Sequence, residues 1–351
     1  MKRSGTDLKN LDPRTWEKPY RGAVHALVIL GDWDISRVDR LVAGVRKGLK
    51  GFAQVVAVER GREWRNADKQ VVEHFGYADG LRQPRFLKNE IDRQKKSRDG
   101  TGAWNPSAPL SLVLARDSIA RGVDAFGNYL VFRKLDENVS AFNRRETAMD
   151  RALRLFHPGA GLAGALMVGR FQDGTPVTLS PVPGISAPSP KKGGPKLAPP
   201  NNFTYAEDAK GSRCPFQAHI RATNPRDWAS FASRIVRCGI TYGERRAERR
   251  SFVDTPARGV RLLFMCFERH IGRQFESLQR RANGLAGGPV DPLIGRGSGG
   301  AGAAVPTRYG QRLRARYPAR ASLRGGREET LVTLKGEEYF FAPSLPFLRR
   351  L

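Results

Sequence analysis

GNYLVFRKLDENVSAFNRRETAMDRALRLF, residues 127–156, changes its apolar period partway along. NYLVFRKL, residues 128–135, is rich in branched and aromatic side chains that suit a pleated surface, and it predicts a strand. From about Glu137 to Phe156 the large apolar residues are Val139, Phe142, Met149, Leu153 and Phe156, spaced by three, four or seven, which predicts a helix. The same order recurs later, where RLLFMCF (261–267) precedes RHIGRQFESLQRRAN (269–283). It also occurs earlier. GAVHALVILG (22–31) reads as a strand, and DISRVDRLVAGVRKGLKGF (34–52) reads as a helix with Ile35, Val38, Leu41, Val42, Val45 and Leu49 on one face. AQVVAVERG (53–61) follows as a further strand.

Strands and helices therefore alternate, but long irregular stretches interrupt them. Neither GxGxxG after a strand nor GxxxxGK[ST] occurs, so the pattern predicts an α+β fold rather than a doubly wound nucleotide-binding sheet. The charged, Gly-containing connection 88–109 reads as a long loop and sets a domain boundary, giving units 1–105 and 106–351. Residues 180–202 and 282–306 are rich in Pro and Gly and poor in large apolar side chains, and read as surface excursions.

A chain of 351 residues, 40% of them apolar, can bury a sizeable core. Its 61 Lys and Arg against 34 Asp and Glu give a net charge of +27, which attracts any polyanion. The excess is scattered, with denser groups at 245–250 and 312–327, and no basic motif interleaved with aromatics accompanies it, so a nucleic-acid partner is not expected. Cys214, Cys238 and Cys266 form no CxxC pair, zinc spacing or CxxCH haem-attachment site. With a polar start and no apolar run long enough to span a bilayer, this reads as a reduced, cytoplasmic chain.

Three residues draw attention as chemistry, each with a plainer reading beside it. In HFGYADGLRQP (74–84), Asp79 lies before Gly80, which is a turn signal, since Asp tolerates left-handed geometry and Gly adopts it freely. His219 lies in RCPFQAHIRATNPRDW (213–228), where a lone imidazole also serves as a structural hydrogen bonder. Arg237, in RIVRCGITYGERR (234–246), also reads as one more surface Arg.

The three segments fall in the order and wording of one family. The chain resembles the dye-decolorizing peroxidases through DPRTWEKPY (12–20), EHFGYADGLRQP (73–84), GNYLVFRKLDENVSAF (127–142), LMVGRFQDGTPV (166–177) and NNFTYAEDAKGSRCPFQAHIRATNPRD (201–227). It continues through the ITYGE region, RGVRLLFMCFERHIGRQFESLQ (258–279) and the terminal FFAPSLPFLRRL.

The resemblance implies two ferredoxin-like α+β domains and a non-covalent haem b. It implies that Asp79 is the distal acid, His219 the axial ligand of haem iron and Arg237 the distal arginine. The partners it implies are hydrogen peroxide and a reducing substrate such as a dye or phenol, and a homo-oligomer is compatible with it. Tyr205, Trp228 and Tyr242 lie in matched segments as candidate electron relays or plain core aromatics.

Two departures from the family pattern carry expectations of their own. The acidic residue that the family places near the proximal histidine, after the strand matching RLLFMCF, aligns here with His270, and Glu268 lies two residues earlier. Met1 falls close to the DPxTWE stretch, so the first domain is expected to be incomplete. A truncated relative with an impaired haem site and a basic nucleic-acid-associated protein stand as the alternatives.

Overall fold

The computed structural model describes residues 8, 12–81, 83–97, 99–120, 122, 124–153, 161–184, 200–246, 254–296 and 329–350. Its centre is a six-stranded antiparallel sheet. In chain order, helices α1 (Lys18–Arg21) and α2 (Ile35–Leu49) precede a small hairpin of β1 (Trp64–Arg65) and β2 (Val71–Val72). Helix α3 (Lys88–Lys95) and β3 (Ala115–Arg116) lead to β4 (Phe126–Glu137), the strand predicted from the branched and aromatic residues at 128–135. Helices α4 (Val139–Leu153), α5 (Leu162–Val168) and α6 (His219–Thr223) follow, then β5 (Val236–Arg237), β6 (Ile240–Tyr242), β7 (Arg261–Glu268), α7 (Phe275–Ala282) and β8 (Val332–Ala342).

β4 is central because both of its edges are paired. β7 lies on one side, from Tyr129↔Glu268 to Asp136↔Arg261, and β8 on the other, from Asn128↔Ala342 to Glu137↔Val332 with a bulge at Lys134/Leu135. Charges on the strands find partners across the ladder. Arg133 meets Glu337 at 3.1 Å and Arg261 meets Asp136 at 3.0 Å, each pair directly opposite in register.

The two faces of β4 bury different layers. Leu130 and Phe132 pack with Trp16, Tyr20, Leu263 and Met265, while Val24, Leu27 and Ala57 lean on the same cluster. Lys134 Nζ fastens that layer by donating to Glu17 and Glu59, each at 2.6 Å. On the other face, Arg133, Leu135 and Glu137 line a cavity bounded by α6, α7 and the turn after β2.

The core beyond that cavity is built on α5, every residue of which is buried. Gly164 is required there. A Cβ on it would come within 1.8 Å of the Tyr77 hydroxyl and 2.2 Å of the Glu146 carboxylate.

Several expectations need correction. Residues 22–31 and 53–61 are extended but form no ladder among the described residues apart from an isolated bridge at Gly61. Short apolar runs match a strand, yet a strand also needs a neighbour, and Val28, Ile29, Val55, Val56 and Val58 remain exposed. The helix expected at 34–52 forms with Asp34 capping Ser36 N at 2.9 Å, but none of its residues is buried.

The expected loop at 88–109 contains α3, whose charged residues favour helix without an apolar stripe to betray it. The helix expected over 269–283 starts only at Phe275. Of the stretches read as surface excursions, 185–199 and 297–306 lie outside the described residues, as do 247–250, 312–327 and Phe156. The described part of 282–306 is no excursion. Asp291 and Pro292 are buried, and Leu293, Ile294 and Arg296 line the cavity.

Candidate active site

Asp79 owes its position to a turn that is stitched twice. The Glu73 carboxylate accepts from Phe75 N at 2.7 Å and Tyr77 N at 2.9 Å, while Asp79 N donates to Val71 O at 2.9 Å. The Asp79 Oδ1 then accepts from Gly80 N at 2.6 Å, with Gly80 at φ 68. The turn reading and the chemical reading of Asp79 thus describe one geometry. The turn leaves the half-buried carboxylate on the cavity wall.

Arg237 reaches the same place from β5, which pairs Arg237↔Cys266 with β7. Gln83 clamps its backbone in both directions, accepting from Arg237 N at 3.1 Å and donating to Arg237 O at 2.8 Å. Arg237 Nη1 donates to Asp79 Oδ1 at 3.2 Å. Side-chain exposures of 38% and 29% leave this pair in touch with solvent.

His219 opens α6, a single short turn held by its neighbour rather than by its own length. Arg221 is buried, donates to Asp208 Oδ2 at 2.7 Å and to Cys214 O at 2.6 Å, and lies between the rings of Tyr205 and Phe216 at 4.5 and 4.4 Å. With Arg221 anchored inward, His219 lies on the cavity wall. Its Nδ1 meets Asp291 Oδ2 at 2.7 Å, and among the described residues its Nε2 makes no hydrogen bond. Burial alone would lower the imidazole pKa, but the Asp291 carboxylate outweighs it and holds the value above the ordinary one.

Asp291 is the functional residue that sequence reasoning missed. His270 is exposed, and Glu268 is turned to another task, accepting from Phe275 N at 2.8 Å. The acid at His219 comes instead from the loop after α7, where Asp291 Oδ1 accepts from Leu293 N at 2.8 Å and Ile294 N at 3.3 Å. A signal was present: an Asp-Pro turn bracketed by Val290, Leu293 and Ile294, too apolar for a surface loop.

All three predicted residues line one cavity of about 330 Å³, within the usual range for a small-molecule site of roughly 300–1,000 Å³. Its walls are largely apolar, including Val168, Ile220, Leu262, Phe264, Phe275 and Ile294. Arg234 and Arg296 also face it, and neither has a carboxylate partner among the described residues. Burial pushes Arg234 down to about 10 and lowers Arg296 too, as expected of cations awaiting a counter-charge. Among the described residues no group of three or more His, Cys, Asp or Glu could hold a metal. A second cleft of about 670 Å³, lined by Glu146, Asp150 and Asp173, contains none of the three predicted residues.

The candidate relays separate by position. Tyr205 is buried under Arg221, and Tyr242 is half-buried beside Arg261 and Lys134. Trp228 is 87% exposed and begins an aromatic series, with Phe231 at 5.7 Å and then Trp104, on the cavity wall, at a further 4.7 Å.

No family model matches the chain. It is 37% identical to the multifunctional dye peroxidase DyP2 of Amycolatopsis sp., across 96% of this chain and 73% of that protein. It is 28% identical to the dye-decolorizing peroxidase msp1 of Mycetinis scorodonius, across 98% of this chain and 69% of that protein. Among solved structures, DyP2 from Amycolatopsis superposes with a TM-score of 0.83 at 34% identity, covering 100% of this chain and 76% of that one. The DyP-type peroxidase of Anabaena superposes with a TM-score of 0.80 at 33% identity, covering 99% and 72%.

Proposed function

The chain belongs to the dye-decolorizing peroxidases, oxidoreductases that use peroxide to oxidise dyes, and from that premise we propose that it holds haem b on His219, with Asp79 and Arg237 as the distal pair. The observation that carries this is the unpartnered Nε2 of His219 on an apolar cavity wall, with Nδ1 held by a buried carboxylate at 2.7 Å.

The residues present fit such a group. With Asp291 accepting from Nδ1, the Nε2 lone pair is free for iron and the ring cannot swing away. Arg234 and Arg296, cations without acidic partners, would receive the propionate carboxylates, and the aliphatic and aromatic walls would receive the macrocycle. Haem, when bound, supplies the iron at which the peroxide O–O bond breaks and the oxidising equivalents that pass to donors.

Asp79 carries a proton from one peroxide oxygen to the other, since its carboxylate is on the cavity wall and, among the described residues, is hydrogen-bonded only at Oδ1. Arg237 places a fixed positive charge where negative charge builds on the departing oxygen. Phenols and other one-electron donors complete the reading, with Trp228 as the entry point for donors too large for the cavity. A division near residue 105 belongs to it as well: residues before it supply Asp79, and those after it supply His219 and Arg237.

A cytoplasmic setting is supported by three unpaired cysteines, and among the described residues no helix is long and apolar enough to cross a membrane. The impaired relative and the nucleic-acid protein are not favoured, because the relatives are named peroxidases.

Titration of the purified chain with haem tests the assignment. Wild type is expected to develop a saturable Soret band that His219→Ala fails to develop. The same band with the same affinity in His219→Ala would refute the assignment.

A further inference from the structure

Reduction of hydrogen peroxide to two waters takes two electrons and two protons. Asp79 moves a proton between the two peroxide oxygens and ends as it began, so the two protons must come from elsewhere. This pocket contains a further carboxyl group, Glu137, the last residue of β4.

Glu137 is 4% exposed and lines the cavity, and among the described residues its Oε2 has no hydrogen-bond partner. An ionised carboxylate left in that state bears the full cost of desolvation, whereas a protonated one does not. Its surroundings point the same way. Glu73 and Asp79 face it from the turn after β2, and each opposes a second negative charge there. The nearby cation, Arg245, is spoken for, with Nε on Asp254 Oδ1 at 2.8 Å, Nη2 on Asp254 O at 2.6 Å and Nη1 on His74 O. Arg133, on the same strand, is engaged by Glu337 and Gln279. The backbone N–H of His74 and the charge of Arg245 favour the ionised form but do not outweigh burial, while the His74 ring, pushed down to about 4 chiefly by burial, adds no positive charge at neutral pH. Burial, then Glu73 and Asp79, drive the Glu137 pKa well above the usual carboxylate range.

Glu73 sits beside it but is not equivalent. Its two oxygens are occupied by Phe75 N and Tyr77 N, contacts that hold the turn bearing Asp79. Glu137 is unencumbered at Oε2.

We propose that Glu137 is a proton-delivering residue of this pocket, acting through Asp79 in the half of turnover that consumes protons. The Glu137 O–H bond breaks as an O–H bond forms on the Asp79 carboxylate, and Asp79 passes that proton to the oxygen leaving as water. Glu137 recovers a proton from solvent, which reaches the cavity beside the partly exposed Asp79–Arg237 pair. The electrons come from the donor being oxidised. This inference rests on the peroxidase reading above.

Infrared spectroscopy of the resting, haem-loaded chain in H2O and D2O tests it. Glu268, pushed up to about 8, and Glu73, pushed up to about 7, also carry protons near neutral pH, so wild type at pH 7 is expected to show a further C=O stretch of a protonated carboxyl group, shifted by 13C-glutamate labelling and missing from the Glu137→Gln spectrum. In the same variant the donor-dependent phase of turnover is expected to slow by roughly tenfold or more, with the pH dependence of that phase altered. Protonated-carboxyl absorption of equal intensity in wild type and Glu137→Gln, or a donor-dependent phase of unchanged rate and pH profile, would overturn the proposal. Should that variant not fold, labelled Glu268→Gln decides, because absence of any 13C-glutamate-shifted protonated carboxyl in it excludes the proposal. Failure to form a Soret band would count against the peroxidase reading instead, and leaves the carboxyl band readable.

Discussion

At the scale of single residues, the site depends on pairs in which one member fixes what the other can do. His219 and Asp291 are 2.7 Å apart, and the carboxylate settles which ring nitrogen faces the cavity and how much electron density it carries. Asp291→Asn keeps the shape but removes the charge. It is expected to raise the reduction potential of the bound iron and to lower haem affinity or peroxide turnover by about 10- to 100-fold, magnitudes typical of a lost outer-shell carboxylate. Redox titration together with the Soret titration checks this, and an unchanged potential would show that Asp291 does not act on the iron. That Asp79, His219 and Arg237 share one cavity was legible because their short motifs resemble those of one family. Asp291 was not, because nothing local distinguishes an Asp-Pro turn that folds inward from one that stays at the surface. Only the apolar Val290, Leu293 and Ile294 around it carry that information.

At the scale of elements, branched and aromatic side chains identified the strand that pairs on both sides but not the strands that depend on a neighbour. β4 reads clearly because branched and aromatic residues fill it and the helical period begins directly after it. β8 escaped because Glu337 and Glu338 interrupt its apolar run, and Glu337 is explained only by Arg133 across the ladder. Residues 22–31 and 53–61 show the converse, with strand-like sequence and no ladder. The late start of α7 has a specific cause, since the fully buried Glu268 at the end of β7 accepts from Phe275 N, the first residue of the helix. Burial pushes Glu268 up to about 8, above its ordinary 4.5. Because the folded value is the higher one, the stability this group contributes is complete below about pH 4.5 and is lost as pH rises through 8. Glu268→Gln is therefore expected to flatten the alkaline decline of the melting temperature between pH 5 and 9. An identical decline in wild type and variant would assign that loss to other groups.

At the scale of the whole molecule, a sheet with different layers on its two faces sets a largely apolar cavity inside a strongly basic protein. The net charge of +27 drew attention to external polyanions, but the cations assigned to the proposed haem site, Arg234, Arg237 and Arg296, are on the cavity wall. The aromatic series from Trp228 through Phe231 to Trp104 links the surface to that interior. Trp228→Ser is expected to lose most oxidation of bulky dyes while small phenols still react, as steady-state assays with both donors would show. Equal loss of both would remove Trp228 as an entry point. If the oxidising power of this peroxidase arises in the cavity of His219, Asp79 and Arg237, removing the Arg237 charge must slow its reaction with peroxide. One stopped-flow experiment bears on it most directly: absorption spectra of the haem-loaded wild type and Arg237→Leu after mixing with one equivalent of hydrogen peroxide. The expected result is a rapid change of the Soret band in wild type and a reaction about 10²- to 10³-fold slower in the variant. A haem-loaded wild type whose spectrum does not respond to peroxide, or a variant that responds as fast, would contradict it.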